Sequence, residues 1–91
     1  MSERIRQRVV VHGHVQGVFF RDTARRKAAE RGVTGWVSNR ADGTVEAVFE
    51  GDPDPVAALV EWCRHGPRGA DVSRVEVAEE PVEGLGRFEV R

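Results

Sequence analysis

The sequence predicts an α+β fold, an antiparallel sheet carrying two helices on one face, and three observations predict it. Apolar residues alternate from Ile5 to Val11, the period of a half-buried strand. Phe20, Ala24 and Ala28 recur at a spacing of four, which places them on one face of a helix. Two runs rich in Val, Phe, Thr and Trp, residues 33–39 and 44–50, flank Arg40-Ala41-Asp42-Gly43, the turn chemistry of a hairpin.

The first strand is expected to end at Gly13, with Val10 and His12 on its second face and Arg4, Arg6 and Arg8 alternating along its outer side. A helix follows from Phe20 or Arg21 to Arg31, and Gly32 stops it. The hairpin strands should be antiparallel neighbours. Asp52-Pro53-Asp54-Pro55 cannot continue a strand. Asp54 as N-cap with Pro55 in the first helical position starts a second helix, with Val56, Leu59, Val60 and Cys63 on one face and Gly66-Pro67 closing it. Val75 and Val77 alternate with Arg74 and Glu76 in a further strand, and Phe88 and Val90 with Arg87 and Glu89 in a short last one. The order is βαββαβ with a short extra C-terminal strand, the ferredoxin-like sandwich.

Ninety-one residues make one domain, spanning 1–91, with a modest core. A hydrophobic content of 40% with 32% charged residues indicates neither disorder nor a membrane span. Ser2-Glu3-Arg4-Ile5-Arg6 leads into a strand pattern and not into the apolar region of a secretory signal, so a cytoplasmic protein is expected. The single Cys63 suits a reducing compartment. The net charge of −1 hides an asymmetry: residues 1–45 carry nine basic and four acidic side chains, residues 46–91 five and eleven. A basic half suits either nucleic acid or a pocket for small anions.

The chemistry concentrates in Gly13-His14-Val15-Gln16-Gly17-Val18-Phe19-Phe20-Arg21. A strand runs there into a loop with two glycines, then into a helix start bearing an arginine. Glycines let successive backbone N–H groups turn into one concavity, and such nests, like helix N-termini, hold phosphate. Arg21 adds a planar, permanently charged fork that matches phosphate oxygens.

Gly13-x-Val15-Gln16-Gly17-Val18-x-Phe20-Arg21 resembles the first signature of the acylphosphatase family. Gly35-Trp36-Val37-Ser38-Asn39, with Gly43-Thr44-Val45 and Gly51, resembles its second, and Gly66-Pro67-Arg68-Gly69-Ala70 with Val72 resembles the connection after its second helix. Ser38 departs from the pattern, standing where family members more often carry a longer basic or amide side chain. The resemblance implies hydrolysis of acyl phosphates to a carboxylate and inorganic phosphate, by direct attack of water and without a metal or other cofactor. It implies that the backbone of Val15, Gln16, Gly17, Val18, Phe19 and Phe20 wraps the phosphoryl oxygens. Arg21 would neutralise them, Asn39 would hold the attacking water, and Thr44 would lend a hydroxyl to Asn39 or to that water. The expected partners are a small acyl phosphate and inorganic phosphate as product and inhibitor, with no nucleic acid and no membrane, and a monomer is expected.

Other readings of single residues are blander. His14 in the loop invites a general-acid role, but a carboxylate leaves without one, so an exposed loop histidine is the simpler assignment. Cys63 lies on an apolar helix stripe near a helix end, where a thiolate is disfavoured, and reads as a small buried hydrophobe. Trp36 and Trp62 read as core or core-edge aromatics. His12, His14 and His65 lack metal-site spacing, so no metal is expected. The competing function is a non-catalytic ferredoxin-like module binding phosphate, another anion or RNA. RNA recognition of this type uses exposed aromatics on the central strands, whereas the first strand offers Arg6, Arg8 and Val10.

Overall fold

In the computed structural model, which describes residues 3–91, β1 (Ile5–His14) is an interior strand of a five-stranded sheet, and its Val9 and Val11 have no exposed surface. Ser2, where the reading of the amino end began, lies outside the described residues. α1 (Phe20–Glu30), β2 (Thr34–Asn39), β3 (Val45–Gly51), α2 (Pro53–Cys63), β4 (Asp71–Glu80) and β5 (Phe88–Val90) follow. This is the expected βαββαβ order with one strand added. Across the sheet the order is β4-β1-β3-β2-β5. Four strands pair antiparallel, but β5 joins β2 in parallel, with Gly35 to Val37 facing Phe88 to Val90, so the sheet is mixed.

One face of the sheet supplies Val9, Val11, Val37, Val45, Ala47 and Phe49 to the core. Phe20, Ala24 and Ala28 of α1 and Val56, Leu59, Val60 and Cys63 of α2 close over them. The alanines let α1 approach the sheet closely, and the β-branched valines suit both the pleat and the packing. α1 ends where Gly32 turns left-handed at φ 67° and the Val33 N–H returns to the Ala28 carbonyl at 2.9 Å.

α2 starts at Pro53 with Asp52 as N-cap, two residues ahead of the expected start. Both prolines fit because the N–H groups of a first turn have no intrahelical partner to lose. The Val56 N–H makes the bond to the Asp52 carbonyl, at 3.2 Å.

The helix-free face is less open than an outer strand face suggests. The chain between β4 and β5 passes over one end of it, and Glu50 on β3 holds that passage with its carboxylate. Glu50 accepts from the N–H groups of Glu83, Gly84 and Leu85 at 2.8, 2.9 and 3.0 Å. Arg6, expected on a solvated side, is 5% exposed and lies among Glu50, Glu80 and Glu83. Burial of the Glu50 carboxyl would raise its pKa; the three N–H groups and the Arg6 guanidinium outweigh this and hold it below the usual carboxylate range. β4 forms one edge of the sheet and is exposed along most of its length, whereas β5 covers part of the other.

Candidate active site

The site begins where β1 leaves β4. Their register shifts between His12 and Gly13, and Gly13 takes φ 124° so close to the neighbouring strand that a Cβ there would stand 2.1 Å from the Asp71 carbonyl oxygen. Only glycine lets the two backbones meet and the chain swing out. Val15, fully buried, anchors the loop that follows.

Within the loop Gly17 (φ 74°) and Phe19 (φ 61°) are both left-handed. Glycine adopts this freely, but a phenylalanine held there stores about 1–3 kcal/mol of strain. Phe19 also serves as the N-cap of α1, its carbonyl accepting from the Thr23 N–H at 3.1 Å while its ring stays 80% exposed. The N–H groups of residues 16–19 find no acceptor among the described residues, and those of the first turn of α1 have none by helix geometry. A run of uncommitted donors therefore precedes and opens the helix, adding to the positive end of its dipole.

Arg21 sits in that first turn, partly buried. Its Nη1 donates to the main-chain oxygen of Arg91 at 3.2 Å, and no Asp or Glu side chain is in ion-pair contact with it among the described residues. Residue 91 is itself placed by β2: its N–H donates to the Val37 carbonyl at 2.8 Å, and its guanidinium lies 4.8 Å from the Trp36 ring centroid.

Asn39 is the last residue of β2. Strand alternation turns it to the helix side with Val37 and turns Ser38 to the opposite face, and its side-chain amide makes no hydrogen bond to a described residue. Asn39 and Arg21 line the same cavity of about 600 Å³, together with Val15, Gly17, Phe19 and Phe20.

Other expected residues turn their side chains elsewhere. Val18 faces an adjoining groove, while its N–H stays among the loop's free donors. Thr44 is buried and donates its hydroxyl to Asp42 Oδ1 at 2.6 Å, while its N–H reaches the same oxygen at 3.0 Å. That turn takes the hydroxyl proton, so Thr44 donates to Asp42 and not to Asn39. The bond from the Thr44 hydroxyl, and then that from its N–H, hold the Asp42 carboxyl below its ordinary pKa. Gln16 turns its side chain away from the cavity and donates Nε2 to the Arg40 carbonyl at 2.7 Å and to the Thr44 carbonyl at 3.0 Å. The loop is thereby tied to the corner that carries Asn39. Residue spacing holds no signal for this tie, because it spans two segments far apart in the chain.

His14 is exposed and does not line the cavity. Cys63 is fully buried, and burial pushes its thiol up to about 12. Trp62 packs on Phe20 with centroids 4.9 Å apart, whereas Trp36 lies on the helix-free face. Among the described residues no three His, Cys, Asp or Glu side chains gather as a metal site, and no helix is long and apolar enough to cross a membrane.

Comparison with known proteins bears on this geometry. The family model described as Acylphosphatase matches residues 7–90. An acylphosphatase of Rubrobacter xylanophilus is 59% identical over 94% of this chain and 79% of its own length. One of Gloeobacter violaceus is 52% identical over 99% of this chain and 97% of its own. The solved structure of an acylphosphatase from Coxiella burnetii superposes with a TM-score of 0.93 at 45% identity, covering 97% of this chain and 93% of that one.

Proposed function

This chain belongs to the acylphosphatase family, and on that premise we propose that it hydrolyses acyl phosphates by direct in-line attack of water on phosphorus. The N–H groups of the 15–20 loop, those of residues 16–19 free of any acceptor among the described residues, bind the phosphoryl oxygens. The Arg21 guanidinium supplies the charge that balances them, held at its angle by the main-chain oxygen of Arg91. In the loose transition state the phosphoryl group flattens and its charge is spread over three equatorial oxygens, so donors fixed where those oxygens come to lie stabilise it more than the ground state.

Asn39 orients the water. Its carbonyl accepts a hydrogen bond from one O–H of the water, whose proton stays on the attacking oxygen, and this leaves a lone pair facing phosphorus. As the new P–O bond forms, the bond between phosphorus and the bridging oxygen breaks, and its electron pair leaves on the acyl carboxylate. The water's second proton ends on phosphate or in solvent. A carboxylate is a weak base and departs without a general acid, so no side chain has to supply a proton.

The observation that carries the reading is the meeting of Arg21 and Asn39 in one cavity beside backbone donors that no other described residue uses. The RNA-binding alternative draws no support from the central strands, whose helix-free face presents Arg6, Arg8 and Val10 beside Glu46, Val48 and Glu50. The test is phosphate release from benzoyl phosphate in the presence of EDTA, with Asn39→Ala alongside. Turnover should survive the chelator and fall by about 10²–10³ in the variant, the range for losing one positioned polar group. Near-intact turnover in Asn39→Ala would refute the water-holding role.

A further inference from the structure

The cavity beside Arg21 does not end at Phe19. Beyond that ring a second groove, about 570 Å³, runs between the start of α1 and the turn after α2, and Phe19 and Asp22 belong to the walls of both. Cavities of this size accommodate a whole small-molecule ligand, so the pair offers room well beyond one phosphoryl group.

The second groove carries Arg26, Lys27 and Arg68 in its lining, with Trp62 beneath. Asp22 is the one carboxylate there, and Arg25 and Arg26 already hold it at 3.1 and 3.4 Å. Lys27 and Arg68 have no carboxylate in ion-pair contact among the described residues; Lys27 stands 5.7 Å from the Trp62 centroid. The groove thus keeps positive charge that the fold does not neutralise. Its far wall is firm, because the 66–69 turn packs on the phosphoryl loop: a Cβ at Gly66 would meet the Phe20 ring at 3.0 Å, and one at Gly69 would meet Val18 at 3.8 Å.

We propose that this groove receives the acyl arm of the substrate and favours acyl phosphates whose arm bears a second anionic group, which Lys27 and Arg68 bind. The inference rests on the hydrolase reading above. The arm leaves the phosphoryl site across the exposed face of Phe19, an apolar partition that does not compete for hydrogen bonds. Its distal carboxylate or phosphate then meets the two unpaired cations. General attraction of anions by a positive surface also favours the more highly charged compound but fades as salt is added; a subsite discriminates at short range by the far end of the arm.

The test compares adipoyl phosphate with hexanoyl phosphate, whose six-carbon arms end in a carboxylate and a methyl group. The parent protein should show a kcat/KM ratio of about three- to tenfold in favour of adipoyl phosphate, the scale of partly exposed charge pairs. Arg68→Ala should reduce the ratio, and adding Lys27→Met, which keeps an apolar stem over Trp62, should bring it near one. Equal efficiency for the two compounds in the parent, or a preference that survives both substitutions, would overturn the subsite. Absence of turnover with both compounds would overturn the hydrolase reading, and the inference with it.

Discussion

Gln16→Ala separates what the loop contributes to folding from what it contributes to the site. The Gln16 amide bridges to the carbonyls of Arg40 and Thr44 at 2.7 and 3.0 Å. Neither acceptor is orphaned by the change: the Arg40 carbonyl also receives the Gly43 N–H at 3.1 Å, and the Thr44 carbonyl receives the Arg40 N–H at 2.9 Å. The penalty of a bare buried carbonyl is therefore avoided, and the stability cost is that of two neutral hydrogen bonds, one of them exposed, about 1–2 kcal/mol. In a domain of this size each kcal/mol lowers Tm by about 4–8 °C.

Activity should suffer more. The bridge fixes the distance between the phosphoryl loop and the strand end bearing Asn39, and a displacement of about 1 Å between reacting groups costs on the order of 10²-fold. The expected result is a fall in kcat/KM of about 10- to 100-fold, chiefly in kcat, whereas a stability loss of about 1–2 kcal/mol in a protein that stays folded leaves kcat/KM unchanged. Gln16→Glu, which turns an acceptor toward two carbonyls, should be at least as damaging. Initial rates on benzoyl phosphate, paired with thermal unfolding followed by circular dichroism, decide it. A Gln16→Ala protein with lowered Tm but kcat/KM within about twofold of the parent would refute the argument.

Arg21→Lys keeps the charge but loses the fork, so kcat/KM should drop by about 10²–10³ and competitive inhibition by inorganic phosphate should weaken; an unchanged inhibition constant would speak against the contact. Glu50→Gln removes the charge that holds residues 83–85, and denaturant titration at neutral pH should show a loss of about 2–3 kcal/mol. Because folding depresses the Glu50 pKa, its contribution is complete above the ordinary carboxylate pKa and disappears as pH falls through the folded value. The gap between parent and variant should therefore close on acidification, and a gap independent of pH would contradict the assignment. Cys63, its thiol raised to about 12 by burial, should resist a disulfide reagent at mildly alkaline pH until the protein is unfolded, and prompt reaction of the native protein would be the contrary result.

Much of the architecture was legible because it follows from local rules. Period two gave β1, the spacing of Phe20, Ala24 and Ala28 gave α1, and Asp42-Gly43 gave the hairpin. The two signatures likewise singled out Arg21 and Asn39, which the fold brings to one cavity. What escaped depends on distant partners. Asp54 was expected as the cap, but Asp52 also precedes a proline, and the helix starts there with the Val56 N–H bonded to the Asp52 carbonyl. The parallel pairing of β5 leaves no mark in Phe88-Glu89-Val90, because alternation is the same in either direction. Arg6 reads as an outer-face residue, and only the passage of residues 81–86 over it explains its burial. The Thr44 hydroxyl was expected to serve Asn39 or its water; its proton goes to Asp42 two residues away, in an Asx turn that the Asp-Gly-Thr order already contained.

The two borders of the sheet have opposite social characters. With β5 roofing part of β2, the main-chain groups left for another molecule to copy lie mostly along β4, where Arg74, Glu76, Glu79 and Glu80 set charge on both flanks of the strand. Such side chains discourage an incoming strand from zipping onto the free border. None of the four lines the cavity with Arg21, so behaviour in a crowded solution and catalytic rate can be altered separately, one at each side of the molecule.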